Sequence, residues 1–242
     1  MLYPGRMRSE TLTREQIVEA AIDLLDAEGL EGLNMRALGK RLGSAATAVY
    51  WHLGGKDDLV ALAGDRVWNE IALPDLDAVG WRTAATSMAT DLYAMLTRHP
   101  WLVPAFGSFV IHGPGKARYA DHSIAVYEAA GFAGARADQA ASTVLTFVLG
   151  NALGPAAAAT MTRKLSRGGG DAEERMRESM ARAREVATRF PRLRVRVNTA
   201  AAEYAAAPEN SFEFGLRAVL DGLEALLVAD RTPAGRSARR DR

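Results

Sequence analysis

Apolar side chains recur every three or four residues along most of the chain, the spacing that places them on one face of an α-helix. The first helix is the most sharply marked, since Thr13 and Gln16 form a capping box, an apolar stripe follows, and Gly29 supplies a stop. Only the short run LRVRVN at residues 193 to 198 alternates as a strand does. The pattern predicts an all-α fold.

Three further short helices are predicted before residue 72. Asn34 can cap the second helix, Ser44 can cap a very short third one, and Lys56 opens a fourth after a pair of glycines. Two short helices joined by a glycine-containing turn and packed on the stripe of the first helix match a helix-turn-helix. Such a unit presents its second helix to a DNA major groove, which is about 12 Å wide.

Helical spacing continues along the rest of the chain, with weaker signals near residues 80 to 98, 100 to 111, 116 to 130, 137 to 161, 171 to 189 and 209 to 228. We therefore expect an N-terminal helix-turn-helix unit of three helices, followed by a larger C-terminal helical domain. The predicted parts are a flexible segment at 1–10, the helix-turn-helix domain at 11–56, a connecting helix at 57–72, the larger domain at 73–229 and a basic, disordered tail at 230–242.

The last predicted helix carries more apolar surface than one neighbour can cover. Phe214 and Ala218 lie on the face opposite its main leucine stripe. A fully buried helix in a monomer and a helix shared with a second copy are both compatible with this pattern, and the second copy accounts for the excess more simply. We expect a homodimer with interface residues Val144, Val148, Phe212, Leu216, Val219, Leu220, Leu223 and Leu227.

Residues 139 to 162 hold no charged side chain, a length sufficient to span a bilayer. Alanine, glycine and threonine dominate the stretch, and it also holds Asn151 and Pro155. This composition favours a helix buried on most sides of a helical protein over a transmembrane helix. The N-terminal residues show no apolar signal segment and the chain has no cysteine, so we expect a cytoplasmic protein with no membrane partner.

The net charge of +1 predicts no polyanionic partner by itself, but the charges are segregated. Residues 10 to 31 carry seven acidic side chains against Arg14 alone. Residues 34 to 56 carry four basic side chains and no acidic one. A local basic surface is therefore expected on the helix-turn-helix unit.

Three motifs fall within this N-terminal region: A-x-x-L-L-x-x-x-G at residues 21 to 29, R-x-L-x-x-x-L-G at 36 to 43, and Y-W-H-x-x-x-K at 50 to 56. Over residues 11 to 63 the chain resembles the DNA-binding domain of the TetR family of bacterial transcriptional repressors. Residues 98 to 106 and 211 to 227 are similar to the C-terminal domain of the same family. The resemblance implies a ligand-responsive repressor that binds double-stranded palindromic operator DNA as a homodimer and is released by a small-molecule effector.

Set against this resemblance, the basic and aromatic residues acquire roles on DNA. Arg36 is expected to make a bidentate guanine contact, and Thr47 can touch a thymine methyl group. Three consecutive bulky residues cannot all face one core, which makes the aromatic triplet a clamp on the phosphate backbone, although an ordinary surface patch or core residues are the alternatives. The expected DNA-binding residues are Arg36, Ser44, Ala46, Thr47, Tyr50, Trp51, His52 and Lys56.

The resemblance also implies an effector pocket in the larger domain, and aromatic, methionine and sparse polar side chains there suit a small, largely apolar molecule. His112 is the most distinctive candidate, whereas Met88 and Leu92 stand where an asparagine and a phenylalanine are expected, which argues against tetracycline and against any metal. No cofactor is expected. For most members of the set a plain core role is the alternative. The candidates are Met88, Leu92, Met95, Trp101, Phe106, Phe109, His112, Tyr119, His122, Phe147 and Asn151.

Enzyme motifs are missing from the sequence. HGPGKAR lacks the glycine spacing of a phosphate loop, the four histidines form no HExxH pair, and no G-x-S-x-G nucleophile is present. We therefore expect a non-enzyme. The alternatives are a helical-bundle enzyme or carrier without DNA binding, and a DNA-binding regulator or activator that needs no effector.

Overall fold

A computed structural model describes residues 12–43, 55–196 and 211–231. Over these ranges the chain forms ten α-helices and one 3-10 turn, Trp68–Glu70, and no strand. The all-α prediction is confirmed for this part of the chain. The alternating run that begins at residue 193 overlaps a helical turn, because Pro191 starts a short helix that continues to Arg194.

The N-terminal helices begin where the capping residues predict. The backbone N–H of Gln16 donates to Thr13 Oγ1 at 3.2 Å while the N–H of Thr13 donates to Gln16 Oε1 at 2.9 Å, and Asn34 Oδ1 accepts from Ala37 N at 2.9 Å. Gly29 has φ +70° and interrupts the first helix, which resumes for three residues. These helices are α1 (Arg14–Gly32), α2 (Met35–Arg41) and α3 (Lys56–Val67).

Seven helices form the rest of the described chain. The predicted helix at 100 to 111 is wrong beyond one turn, because the helix ends at Ala105 and the N–H groups of Gly107 and Ser108 bond to the carbonyl oxygens three residues before them instead of four. The seven are α4 (Leu76–Arg98), α5 (Leu102–Ala105), α6 (Pro114–Ala130), α7 (Ala135–Gly168), α8 (Gly170–Thr188), α9 (Pro191–Arg194) and α10 (Ser211–Arg231).

One apolar core runs through both parts of the molecule. α4, α6 and α7 pack on one another, α10 lies against α7 and α4, and α1 packs on α2 and α3. The buried set extends from Ile17 and Leu38 in the N-terminal helices through Trp68 to Leu92 and Val148. The N-terminal unit therefore rests directly on the larger one, so a shift in the larger unit can be transmitted to it.

α7 is long and apolar enough to cross a membrane, and 22% of its most apolar window is buried within the chain. The prediction that this helix is buried on most sides is wrong for the single chain. Its buried residues repeat every three or four positions and so form one stripe, which includes Val144, Val148 and Ala152. The other sides expose Leu153 and Met161 at 60% and 44%, and this surface is left for another partner.

Candidate functional site

The basic side chains of α2 differ in whether they are bonded to another helix of the chain. Arg36, in the first turn, is exposed and forms no ion pair with any residue of the described ranges. Lys40 is exposed as well. Arg41, at the end of the helix, donates to Asp23 of α1 at 2.9 Å and holds the two helices together. Arg36 therefore remains available to a ligand outside the chain.

Lys56 lies between α1 and α3. Its Nζ donates to the backbone oxygen of Leu30 at 2.7 Å, and the side chain is half-buried. The N–H of Gly55 donates to Asp58 Oδ2 at 3.1 Å and caps the same end of α3. An ammonium group has three N–H donors, so one bond to Leu30 leaves two for a phosphate. Lys56 thus has a structural role, its bond to Leu30 of α1, in addition to its predicted contact with DNA.

The remaining DNA-binding predictions lie outside the described residues, and their roles stay predictions. They are Ser44, Ala46, Thr47, Tyr50, Trp51 and His52.

A buried histidine ties the N-terminal unit to the larger one. His99 follows α4 directly and is 7% exposed. Its Nδ1 donates to Asp26 of α1 at 2.8 Å, and its Nε2 donates to Glu70 at 2.9 Å. Trp101 Nε1 also donates to Asp26, at 2.7 Å, and Arg98 pairs with Glu70 at 2.5 Å. α1, α4, the segment that opens α5 and the 3-10 turn thus meet in one polar cluster, which we call the His99 cluster.

The two carboxylates favour the charged imidazolium. Burial opposes the charge of His99, but the hydrogen bonds and charges of Asp26 and Glu70 outweigh it and raise the pKa of His99 above 6.5. Burial similarly opposes the charge of Glu70, whose bonds to Arg98 and His99 lower its pKa below 4.5. The raised pKa of His99 thus widens the pH range in which the cluster is a charge-assisted network.

The residues predicted to bind an effector do not surround an open pocket. Five of them are in the core and at most 6% exposed, and a cavity of only about 10 Å³ adjoins Met88 and Tyr119. The buried five are Met88, Leu92, Met95, Trp101 and Tyr119.

The other predicted effector residues are placed at the edge of the core or on the surface. His112 is exposed and bonds to the carbonyl oxygen two residues before it at 2.9 Å. His122 donates to the Pro74 oxygen at 2.9 Å, and Asn151 donates along its own helix to Phe147 at 2.8 Å. Phe106, Phe109 and Phe147 are half-buried against the core.

The residues predicted for the dimer interface are buried within one chain. Phe212, for example, stacks on Tyr93 of α4 with ring centroids 4.3 Å apart. Their face of α10 packs on α7 and α4, which corrects the expected position of the shared surface. The exposed apolar residues of α10 lie elsewhere, with Phe214 at 75%. The residues concerned are Val144, Val148, Leu216, Leu220, Leu223 and Leu227, which are buried, and Phe212 and Val219, which are half-buried.

A cavity of about 670 Å³ lies between α7 and α8. α5 contributes Val103 and Pro104, α7 contributes residues from 153 to 168, and α8 contributes residues from 172 to 179. None of the residues predicted for the effector lines it. We call this space the α7–α8 cavity.

A second cavity of about 220 Å³ adjoins the first and reaches α1. Pro104, Thr160 and Lys164 line both cavities. On the neighbouring face of α7, Arg167 forms an ion pair with Glu28 of α1 and donates to its backbone oxygen at 3.1 Å. The last turns of α7 therefore contact the α7–α8 cavity and the N-terminal unit together.

The sequence contains a pattern that indicates the α7–α8 cavity, but the pattern is not visible when each helix is considered separately. Glycines at 168 to 170 join α7, which holds no charge over residues 139 to 162, to a highly charged helix, and Gly169 has φ +65°. That second helix still keeps an apolar side with Ala172 and Met176. Here a tight turn joins a charged helix that keeps one apolar side to a helix with a long uncharged stretch. This combination predicts an apolar space between the two helices.

Comparison with known proteins agrees with this architecture in both parts. The family model described as "Bacterial regulatory proteins, tetR family" matches residues 17–63, and the one described as "Tetracyclin repressor-like, C-terminal domain" matches residues 73–227. Together they cover more than half of the chain, in the order that the helices predict.

The similar proteins are transcriptional regulators. The HTH-type transcriptional repressor DrrR1 of Streptomyces coeruleorubidus is 34% identical over 94% of this chain and 83% of that protein. An HTH-type transcriptional regulator of Saccharopolyspora erythraea is 36% identical, and the match spans 58% of this chain but only 59% of that protein's length. The crystal structure of the TetR family protein ActR of Streptomyces coelicolor in complex with actinorhodin has a TM-score of 0.68 and 26% identity, covering 90% of this chain and 97% of that one.

A regulator of this kind needs a unit that reaches DNA and a space for a ligand. The capped N-terminal helices with the exposed Arg36 fit the first need, and the open cavity in the larger unit fits the second. Both family domains match in order, and a repressor aligns over almost the full length. The chain thus belongs to the TetR family of bacterial transcriptional regulators.

Proposed function

We propose that this chain is a homodimeric repressor in the cytoplasm, which binds a palindromic operator and loses affinity for it when a small, largely apolar effector binds. Two copies of the helix-turn-helix read half-sites one helical turn apart, so a change in their spacing lowers DNA affinity. The relative ActR, crystallised with actinorhodin, supports a small-molecule ligand for this chain as well.

The observation that carries the proposal is the position of the α7–α8 cavity. Thr160 and Lys164 line it, while Arg167 on the same turns of α7 is bonded to Glu28 of the N-terminal unit. α7 is a continuous helix over this segment, so a ligand that displaces one face displaces the other. Binding in the cavity and the orientation of the reading unit are thereby mechanically coupled.

The second copy is expected on the outer side of α10. Phe214 and Leu226 are 75% and 51% exposed there. A largely exposed phenylalanine on a helix is typical of a surface that another chain covers. The proposed interface replaces the buried leucine face that the sequence indicated.

On DNA, Arg36 is proposed to contact a guanine edge and Lys56 a phosphate. Arg36 is exposed near the start of α2, and Lys56 sits at the start of α3, where the helix dipole favours a negative group. The other predicted contacts, from Ser44 to His52, complete the reading surface in this proposal.

A binding selection on random duplex DNA tests the proposal, with light scattering to give the mass of the free protein and of the complex. We expect an enriched motif with two inverted half-sites about 10 base pairs apart, centre to centre, bound by two copies of the chain. A single copy that enriches no duplex at low ionic strength would refute it. Arg36→Ala should relax one position in each half-site, and Lys40→Ala, on the same helix, serves as the matched control.

A further inference from the structure

We propose that the α7–α8 cavity binds an anionic molecule with a flat or elongated apolar body, such as an aromatic carboxylate, sulfonate or phenolate. The inference rests on the effector-released repressor proposed above and specifies the chemical class of its effector. Three properties of the cavity carry it, namely its size, its apolar walls and its unpaired cations.

Size and wall chemistry indicate a small organic ligand. The volume of about 670 Å³ lies within the range of ligand pockets, which is about 300 to 1,000 Å³. Leu153, Met161 and Met176 line the cavity, and Leu153 and Met161 are 60% and 44% exposed. Methionine side chains adapt to ligands of different shape, so an apolar body can fill the space closely.

Charge specifies the class. Lys164 and Arg175 line the cavity, and no aspartate or glutamate does. Neither cation has a carboxylate partner in the part of the chain that the structure describes. On the same helix as Arg175, two other arginines pair with glutamates, Arg177 with Glu174 at 2.7 Å and Arg182 with Glu178 at 3.6 Å, and Arg189, directly after the helix, pairs with Glu185 at 2.9 Å.

Arg175 is thus left out of the pairing that its neighbours on α8 follow. It lines the cavity beside Met176, and its side chain is exposed, so it is available to a ligand. Lys164 of α7 lines the same cavity and is exposed as well. Two cations that line an apolar space complement a ligand that has one anionic group and an apolar remainder.

Lys164 also connects the proposed anion to the N-terminal unit. It lines the second cavity together with Glu28 and Glu31 of α1. An anion that draws Lys164 toward the α7–α8 cavity removes a positive charge from the neighbourhood of these two glutamates. It does so one turn from Arg167, which holds Glu28, so the ligand's charge acts on the contact that couples the two units.

The probe for the test is 1-anilinonaphthalene-8-sulfonate, an aromatic sulfonate whose fluorescence rises in apolar surroundings, titrated into the full chain at fixed ionic strength. We expect Lys164→Gln and Arg175→Gln each to raise its dissociation constant about tenfold, the loss of one charge-assisted bond. Arg177→Gln is the matched control, because its side chain is 70% exposed and paired with Glu174, away from the cavity. Nile red, a neutral apolar dye, should bind all four proteins alike.

A variant that fills the space separates the cavity from the rest of the surface. Ala157→Trp places a large ring in the cavity lining, and Ala181→Trp places the same ring on the exposed opposite side of α8. We expect the first to abolish binding of both dyes and the second to leave both unchanged. Circular dichroism confirms that each variant is folded.

The outcomes distinguish this inference from the function on which it rests. Sulfonate affinity that is unchanged by Lys164→Gln and Arg175→Gln overturns the charge class, even if DNA binding and release are intact. If neither dye binds the folded dimer and Ala157→Trp dissociates that dimer, the inference is overturned. The α7–α8 cavity is then occupied by a second copy of the chain. Charge-dependent sulfonate binding that leaves DNA affinity unchanged supports the ligand class and contradicts the proposed release.

Discussion

Removing the charge of His99 is expected to cost about 2 to 3 kcal/mol of folding free energy near pH 6. In His99→Gln the amide can replace one of the two ring N–H bonds, but the cation between Asp26 and Glu70 is lost. A hydrogen bond to a charged group contributes about 1.5 to 3 kcal/mol. His99 is 8% exposed while both carboxylates are 33% exposed, so solvent screens part of the two-bond total of about 3 to 6 kcal/mol.

The loss depends on pH, with a sign that follows from the pKa of His99. That pKa is raised in the folded state, so the stabilisation is complete below 6.5 and is lost as pH rises through the folded value. The lowered pKa of Glu70 acts in the opposite direction, since its contribution is present above 4.5 and lost as pH falls through the folded value. The His99 cluster should therefore stabilise most between these limits, with Arg98 charged throughout.

Urea unfolding followed by circular dichroism, at pH 6 and pH 9 and at one protein concentration, measures this effect. The difference between wild type and His99→Gln should shrink by at least half at pH 9. His122→Gln is the control, because His122 bonds only to the Pro74 oxygen in the described structure, and its effect should be nearly the same at both pH values. An equal cost of His99→Gln at pH 6 and pH 9 would refute a charged histidine in the cluster.

Three further substitutions test other parts of the structure. Lys56→Gln should lower the slope of log affinity against log salt by about one in DNA titrations, because one phosphate contact is lost, and should cost about 1 kcal/mol in urea unfolding for the bond to α1. Phe214→Glu, at a position 75% exposed, should leave the fold intact by circular dichroism and shift the mass by light scattering toward one chain. Gly115→Ala should lower stability by about 1 to 3 kcal/mol in thermal unfolding, because its Cβ would lie 2.3 Å from the backbone oxygen of Asp65 and push α6 away from α3.

Local signals predicted the N-terminal helices well. The bonds at Thr13 and Asn34 form between residues two or three apart, so the sequence contains both partners of each cap. Gly29 was predicted as a stop for the same reason, because a positive φ is a property of the residue itself. Such features need no knowledge of the tertiary fold.

The His99 cluster and the α7–α8 cavity could not be predicted in this way. His99 and Trp101 bond to Asp26, more than seventy positions earlier in the chain. Trp101 in a histidine-proline-tryptophan run is equally consistent with a ligand pocket until that distant carboxylate is placed beside it. Similarly, apolar periodicity identifies the buried leucines of α10 as a face to be covered, but not whether α7 of the same chain or another copy covers it.

The end of α1 is the point at which these separate features meet. Glu28 is held by Arg167 of α7, the Leu30 oxygen by Lys56 of α3, and Asp26 by the His99 cluster at the end of α4. Two turns earlier Asp23 bonds to the end of α2, the helix that carries the exposed Arg36 and leads into the reading segment.

A displacement of α7 by a ligand therefore acts on a segment that three elements hold in place. The His99 cluster and Lys56 resist the movement, and the reading unit must rotate with α1 if the ion pair to Glu28 persists. Small shifts at packed helices become discrete rearrangements because interiors are close-packed and do not deform continuously. Gly29 lies within this segment, where its φ of +70° already interrupts the helix and leaves the Arg163 guanidinium next to the backbone. Because Glu28 precedes this break, a movement of α7 acts on the main part of α1, which is bonded to α2 through Asp23, and the break lets the three residues after Gly29 adjust to that movement.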